Sequence, residues 1–338
     1  MRTMRTLERL GGVLVWLCGV PAVAWAVAAV WIDDPLPPAL AALAALLVAV
    51  AGLAVLLRLR GVRRVLGLVA VVGIVAAWWL NLAPRNDRDW IPDVANPPWA
   101  EISGDRVTIH NLRDFTYRGG GDADFTERWE TRTFNLAALR GIDLFLSFWG
   151  PTAIAHTVMS WEFAGGPPLA ISIETRKERG ESYSAVLGFF RQYELYYVVA
   201  DERDVIGVRT GHRDEQVYLY RIRMPPERAR ELLLDYLTEI NRLRDQPEWY
   251  NAFSHNCTTG IRRHLGQIGL AGAWDWRILV NGYLDQLAHE RGTIDNSLPF
   301  EEMRRRSEIT AAARAADGAE DFSARIRADL PGSSRVAE

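Results

Sequence analysis

Cysteine is scarce in this sequence. Cys18 falls inside a long apolar run near the N-terminus, and Cys257 is the only cysteine in the rest of the chain. A disulfide within the polar part of the chain is therefore excluded. Lysine is nearly absent as well, since Lys177 is the one lysine among 39 basic residues. We attribute this bias to codon usage rather than to function.

Charge is missing from three apolar runs, over residues 11–31, 39–57 and 65–82. Crossing about 30 Å of hydrocarbon takes roughly 20 residues, so we predict three transmembrane helices. A cleavable signal peptide is the alternative for the first run, but no small-residue cleavage site ends it and two further runs follow. Transporters usually carry ionisable residues within their membrane spans. No such residue interrupts these runs, so the sequence does not favour a transporter. We expect the helices to act as an anchor.

Arginines flank these runs unevenly. Arg2, Arg5 and Arg9 precede the first run and four more arginines separate the second from the third, whereas Asp33 and Asp34 follow the first. The positive-inside rule then predicts a multi-pass protein of the inner (cytoplasmic) membrane. Its N-terminus would be cytoplasmic, and its C-terminal domain would be periplasmic.

The formal net charge of −3 is also unevenly distributed. Residues 1–82 hold seven arginines and three acidic residues, which leaves −7 for the remainder. Nucleic-acid binding would need a basic surface, so we expect no nucleic-acid partner.

The polar part of the chain shows strand patterns first and helix patterns later. Alternation and short apolar runs predict strands at 106–111, 142–149, 155–163, 169–175, 195–200, 204–209 and 216–222. Helices are predicted at 182–193, 226–243, from 257 onward and at 276–289. This order indicates an α+β fold. The predicted division is a membrane module at 1–82, a linker at 83–98, a soluble domain at 99–302 and a charged, mobile tail at 303–338.

The chemistry of the domain centres on Cys257. Ser254 or Asn256 can cap the helix that follows, which places the thiol in the first helical turn. The helix dipole there favours an anion, and so favours a nucleophilic thiolate. Main-chain N–H groups at the same helix start could bind an oxyanion. A buried structural cysteine is the alternative, because free cysteine is among the most buried residue types.

A thiolate mechanism needs a base, and His156 is the candidate. It begins the first strand of a predicted hairpin, and Ser172 and Glu174 lie roughly opposite on the second strand. Either could accept a hydrogen bond from the imidazole and fix its tautomer. His264 lies two helical turns beyond Cys257, and His255 lies on a tight loop. A structural role for a single strand histidine stays open.

Other site types lack their motifs. The spacing of His255 and Cys257 is not that of paired zinc ligands, and the sequence has no H-E-x-x-H motif, no phosphate-binding glycine loop and no G-x-S-x-G elbow. We therefore expect neither a metal nor a cofactor.

Several segments, in order along the chain, carry a family resemblance. They include VTIHNLRDFTYR at 107–118, 148–156, 170–178, 189–194, 199–204 and YNAFSHNCTT at 250–259. With them, residues of about 99 to 270 resemble the Lnb N-terminal periplasmic domain family. The resemblance implies a circularly permuted papain-like (NlpC/P60-type) domain in which the histidine precedes the cysteine. Carried over, Cys257 would be the nucleophile and His156 the base, and the third polar position would be Ser172 or Glu174. Asn256, the residue directly before the nucleophile, belongs to the same candidate site.

The resemblance also implies a reaction. The named member of the family is a lipoprotein N-acyltransferase, and we expect a cysteine acyltransferase that uses a phospholipid or lipoprotein substrate through an acyl-thioester. In that member the periplasmic domain precedes its membrane spans, whereas here three spans come first. A cell-wall cysteine peptidase with the same two residues is one alternative. A non-catalytic envelope module with a buried Cys257 is another.

Overall fold

The computed structural model describes residues 2–33, 36–118 and 124–331, with side chains from residue 11 onward. Asp34, the arginine side chains before the first apolar run and the last seven residues of the predicted tail lie outside the described part. The chain divides into two compact units. Met1–Pro84 and Ser184–Tyr193 form the first unit, and Arg85–Tyr183 and Glu194–Glu338 form the second.

The first unit is built on three long apolar helices. They are α1 (Arg2–Asp33), α2 (Pro38–Arg58) and α3 (Gly61–Leu80). All three are long and apolar enough to cross a membrane, as predicted. Small residues let them approach closely: a Cβ on Gly52 would lie 2.5 Å from the side chain of Val23. The chain is therefore a membrane protein.

The segment 184–193 packs against these helices within the first unit. Phe190 contacts a cluster that includes Trp25 and Trp79, and the guanidinium of Arg191 lies 4.5 Å from the ring of Trp79. The helix predicted at 182–193 is wrong, because only a short 3₁₀ turn forms, at Leu187–Phe189. The apolar residues that suggested a helix pack against the three apolar helices instead.

The second unit contains a mixed β-sheet. The strands of the described residues are β1 (Trp99–Ser103), β2 (Arg106–Arg113), β3 (Thr116–Tyr117), β4 (Phe125–Thr126), β5 (Trp129–Asn135), β6 (Leu139–Phe148), β7 (His156–Phe163), β8 (Leu169–Arg176), β9 (Glu194–Asp201) and β10 (Gln216–Ile222). The order is β1-β2-β9-β8-β7-β6-β10, with β5 beside β2 and with β3 and β4 forming a separate ribbon. All pairs are antiparallel except β2 with β9.

Helices cover both faces of this sheet. They are α4 (Glu202–Gly207), α5 (Pro226–Asp245), α6 (Cys257–Gln267), α7 (Leu284–Glu290), α8 (Phe300–Arg306), α9 (Thr310–Ala315) and α10 (Phe322–Arg325). Side chains alternate between the faces: Val158 packs in a core with Ile206 and Phe322 on one side. On the other side the indole of Trp161 donates to the carbonyl of Ala229 in α5. The domain is thus a mixed α/β domain with one central sheet.

The strand predicted at 204–209 is wrong. The carboxylate of Asp201 accepts from the N–H of Arg203 and caps α4, which starts a helix where apolar residues suggested a strand. A π-helical turn, Val208–His212, continues it.

The predicted linker and tail also differ from the structure, because both belong to the core. Trp90 and Val94 from 83–98 are buried with Ile309, Phe322 and Ile326 from 303–338 in a single cluster. Arg327 is nearly buried as well. Its guanidinium binds the carboxylates of Asp143 and Glu202. The charged residues that suggested a mobile tail therefore include Arg327, which forms buried ion pairs.

Candidate active site

Cys257 begins α6, and the residue before it caps the helix. The side-chain oxygen of Asn256 accepts from the N–H groups of Thr258 and Thr259, both at 2.9 Å, and the hydroxyl of Thr259 accepts from the N–H of Asn256. Asn256 therefore orients the helix start rather than reacting. Two of the N–H groups expected for an oxyanion are occupied by this cap. The N–H of Cys257 has no acceptor among the described residues.

His156 begins β7, and its imidazole lies close enough to the Cys257 thiol for each group to shift the pKa of the other. Its Nε2 lies 2.6 Å from the hydroxyl of Ser172 and 3.1 Å from Oε1 of Glu174. The strand register brings these side chains together, since Val158 faces Ser172 across β7 and β8. Of the residues predicted for the site, Cys257, His156, Ser172 and Glu174 thus meet at one place. The alternative base His264 instead binds Asp235 and Tyr197.

The hydrogen bonds determine the tautomer of His156. The hydroxyl of Ser172 donates to Oε1 of Glu174 at 2.8 Å, so its one proton is used there. Its oxygen can then only accept from Nε2, which must carry a proton. Nδ1 remains as the nitrogen that can take the thiol proton of Cys257.

The ionisation of the pair follows from these contacts. Burial alone would lower the pKa of His156, but the charge of Glu174 and the hydrogen bond with Cys257 outweigh it and raise that pKa to about 9. Burial alone would raise the pKa of the Cys257 thiol, but the hydrogen bond and charge of His156, helped by Thr157, lower it to about 7. The usual order of the two pKa values is inverted. Both shifts favour a thiolate beside an imidazolium over the neutral pair.

Arg209 supports this arrangement and was missed by sequence reasoning. Its guanidinium lies 2.7 Å from Oε1 of Glu174 and is almost fully buried. Burial would raise the pKa of Glu174, but the positive charges of His156 and Arg209 hold it well below its usual value. No sequence motif marks Arg209, which falls in the segment 204–209 predicted as a strand.

Asn281 is a second residue that sequence reasoning missed. Its amide group accepts from the N–H of Ala155 and donates to the carbonyl of the same residue, directly before His156. The same amide nitrogen lies 2.7 Å from the hydroxyl of Thr258 and 3.7 Å from the sulfur of Cys257. Asn281 thus ties the histidine strand to the cysteine helix.

The neighbouring Gly282 has no room for a side chain. Its N–H donates to the carbonyl of Ala153, and a Cβ at this position would lie 1.9 Å from the carbonyl oxygen of Thr152. Main chain therefore packs on main chain beside Asn281, which fixes the loop before His156. An asparagine–glycine pair inside an otherwise helical pattern was the available signal.

An apolar cavity of about 510 Å³ lies beside the site. Its walls include Leu144 and Met159 from the sheet, Ile261 from α6 and Leu287 from α7. Thr258, the residue after the cysteine, also lines it. The nucleophile candidate and the cavity therefore share one helix turn.

The inverted pKa values predict the pH dependence of thiol reactivity. In a Cys18→Ala background, alkylation of Cys257 by iodoacetamide should accelerate as the pH rises through about 7, well below the value of about 8.5 for an ordinary thiol. Turnover should then fall as the pH passes about 9, where His156 loses its proton, so the profile is bell-shaped. Intact mass against pH measures the first limb. A single rise centred above pH 8.5 would contradict the ion pair.

The comparisons with known proteins bear on this same region. Residues 125–282, just under half of the chain, match the family model described as Lnb N-terminal periplasmic domain. Neither the search of curated proteins nor the search of solved structures found a match. The matched range starts later than the resemblance in the sequence suggested and extends to Gly282, so it takes in Asn281 as well as His156 and Cys257. The resemblance is confirmed for residues 125–282 of this membrane protein, which match the Lnb N-terminal periplasmic domain family.

Proposed function

We propose that the protein is a membrane-anchored periplasmic cysteine acyltransferase that works through an acyl-thioester on Cys257. The observation that carries the proposal is the position of Cys257, at the start of α6, beside His156, whose imidazole contacts Ser172 and Glu174. A thiol with a lowered pKa beside a base that is itself held by a third group is the usual arrangement of a covalent catalyst. The third group would be Glu174, acting partly through Ser172.

In the first half-reaction, the thiolate attacks the carbonyl carbon of a phospholipid ester. The N–H of Cys257, free at the start of α6, donates to the resulting oxyanion. The carbon–oxygen bond then breaks, and the imidazolium of His156 gives its proton to the leaving alkoxide. A lysophospholipid departs, and the acyl chain stays on sulfur.

In the second half-reaction, an amine attacks the thioester. Neutral His156 accepts the proton that the amine loses, the carbon–sulfur bond breaks, and the thiolate and imidazolium are restored. The acceptor would be the terminal amine of a lipoprotein, as the family resemblance implies. Water as acceptor would release a free fatty acid instead.

The fold supports a circularly permuted papain-like domain. The histidine strand precedes the cysteine helix in the chain, and Gly260 of α6 packs against Ile173 of β8, next to the histidine strand. The arginine-rich loop between α2 and α3 supports a cytoplasmic N-terminus in the inner membrane. Under that orientation the soluble unit is periplasmic.

Intact mass of the detergent-purified protein tests the proposal. After incubation with a defined phospholipid, the protein should gain the mass of one acyl chain, mapped to Cys257, and lysophospholipid should appear. A Cys257→Ser variant should gain no thioester that hydroxylamine removes at neutral pH. A thiol that alkylates readily near pH 7 but never acylates would point to peptide substrates. A thiol that alkylates only after denaturation would leave a structural cysteine.

A further inference from the structure

The cavity beside Cys257 is partly open to the surface and measures about 510 Å³. Ligand pockets fall in the range of about 300–1,000 Å³. The cavity therefore has the size of a binding site.

The walls of the cavity indicate the chemistry of its occupant. Aliphatic side chains and methionine supply most of the lining. The polar side chains in it are two threonines and four arginines: Thr258, Thr293, Arg223, Arg228, Arg262 and Arg291. A peptide would leave its polar backbone groups without partners in such a space. A hydrocarbon chain has no polar groups that would be left without partners there. Its affinity would rise about fourfold for each buried methylene.

The position of the cavity connects it to the nucleophile. The hydroxyl of Thr258 is 3.8 Å from the sulfur of Cys257, and Thr258 lines the cavity. On the sheet, Thr157 lies close enough to the thiol to help lower its pKa, and Met159, two residues on and therefore on the same face of β7, lines the cavity. A chain bonded to the sulfur can thus enter the cavity beside Thr258.

The outer wall is fixed by two arginines. The guanidinium of Arg262 donates to the carbonyls of Ala271 and Gly272, and that of Arg291 donates to the carbonyl of Ala273. Both arginines line the cavity, together with the half-exposed Leu270. Their hydrogen bonds hold the loop 270–273 in place, so the cavity is formed before any ligand enters.

We infer that this cavity holds the aliphatic chain that Cys257 accepts, and that its depth sets the preferred chain length. The inference rests on the proposed acyl transfer and deepens it: the substrate class is a lipid with a long aliphatic chain. Ala288 in α7 is a specificity-determining residue, because it is a small side chain on the cavity wall.

Competition between two donor lipids tests the inference. Full-length protein in detergent receives an equal mixture of phosphatidylglycerols with two 10-carbon or two 16-carbon chains, and intact mass gives the ratio of the two thioesters. An Ala288→Phe variant fills part of the cavity and should shift the ratio toward the 10-carbon chain by about a hundredfold, the effect of three or four excluded methylenes. Because both thioesters form in one sample, a general loss of folding or activity cannot produce this shift.

The matched control is Ala315→Phe. Ala315 is an exposed alanine on α9 that does not line the cavity, and its substitution should leave the ratio unchanged. An unchanged ratio in Ala288→Phe, with thioesters still formed, would overturn the inference and leave the proposed function standing.

A second measurement separates the two proposals. The Cys257→Ser variant is mixed with a phosphatidylglycerol that carries a photoreactive diazirine in its acyl chain, and labelled peptides are mapped. Labels within 258–294 that are lost in the Ala288→Phe double variant support the cavity even if no thioester ever forms. Labels confined to α1, α2 and α3 would reject it whether or not the thioester forms.

Discussion

Replacing His156 by alanine should suppress the reactivity of Cys257. The hydrogen bond and positive charge of His156 are what lower the pKa of the thiol to about 7 against the effect of burial. Without them the pKa returns to at least its ordinary value, so the thiolate fraction at pH 7 should fall at least about fifteenfold. Acyl transfer loses the proton donor and acceptor as well, and should fall by about 10²- to 10⁴-fold.

Alkylation rates and acyl-thioester yields of the two proteins, both in a Cys18→Ala background, measure these effects. His255→Ala is the matched control, since His255 precedes Cys257 by two residues but hydrogen-bonds with the neighbouring Ser254. It should alkylate at the wild-type rate. Equal losses in the two variants would mean that His156 has no particular influence on the thiol.

Replacing Arg327 by methionine should strongly destabilise the soluble unit. Arg327 is the shared partner of two buried carboxylates, with 2.8 Å to Asp143 and 2.7 Å to Glu202. Removing one partner of a buried ion pair costs about 3–5 kcal/mol, because the remaining charge keeps its desolvation penalty. The midpoint of thermal unfolding, followed by near-UV circular dichroism in detergent, should fall by about 10 °C.

The pH dependence and a control make this result specific. Arg327 lowers the pKa of Glu202 in the native protein, so the deficit of the variant should shrink as the pH falls and the carboxylates are protonated. Arg325→Met, two residues earlier, removes only a surface pair with Asp321. It should change the midpoint by no more than about 2 °C. A similar loss in both variants would contradict a core role for Arg327.

The sequence predicted those parts of the site that local patterns encode. Apolar spacing placed α5, and the residue types before Cys257 placed the start of α6. The hairpin of β7 and β8 predicted that Ser172 and Glu174 lie opposite His156, since antiparallel pairing fixes which residues face each other. Such features depend on residues that lie within about 20 positions of one another in the chain, so their patterns can be recognised in a single sequence.

Long-range partners were not predictable in this way. Arg209 reaches Glu174 from a π-helical turn, and Asn281 reaches Ala155 across more than a hundred residues. The tail was misjudged because its charges resemble a solvated segment. Its buried apolar residues Ile309, Ala313 and Ala316 have helical spacing, but their small size gave a weak signal beside the arginines and glutamates around them.

The contribution of the C-terminal segment to the core has a consequence for biosynthesis. The helices α1 to α3 leave the ribosome first, and the strands of the sheet follow, but one face of that sheet stays open until residues 309–327 have been translated. During that interval Asp143 has only Arg221 as a partner, and Glu202 lacks the guanidinium of Arg327. A polypeptide stalled or cleaved before Arg327 would therefore expose an unfinished core to proteases while already inserted in the membrane. Completion of the core depends on residues 309–327, although the candidate site lies at Cys257.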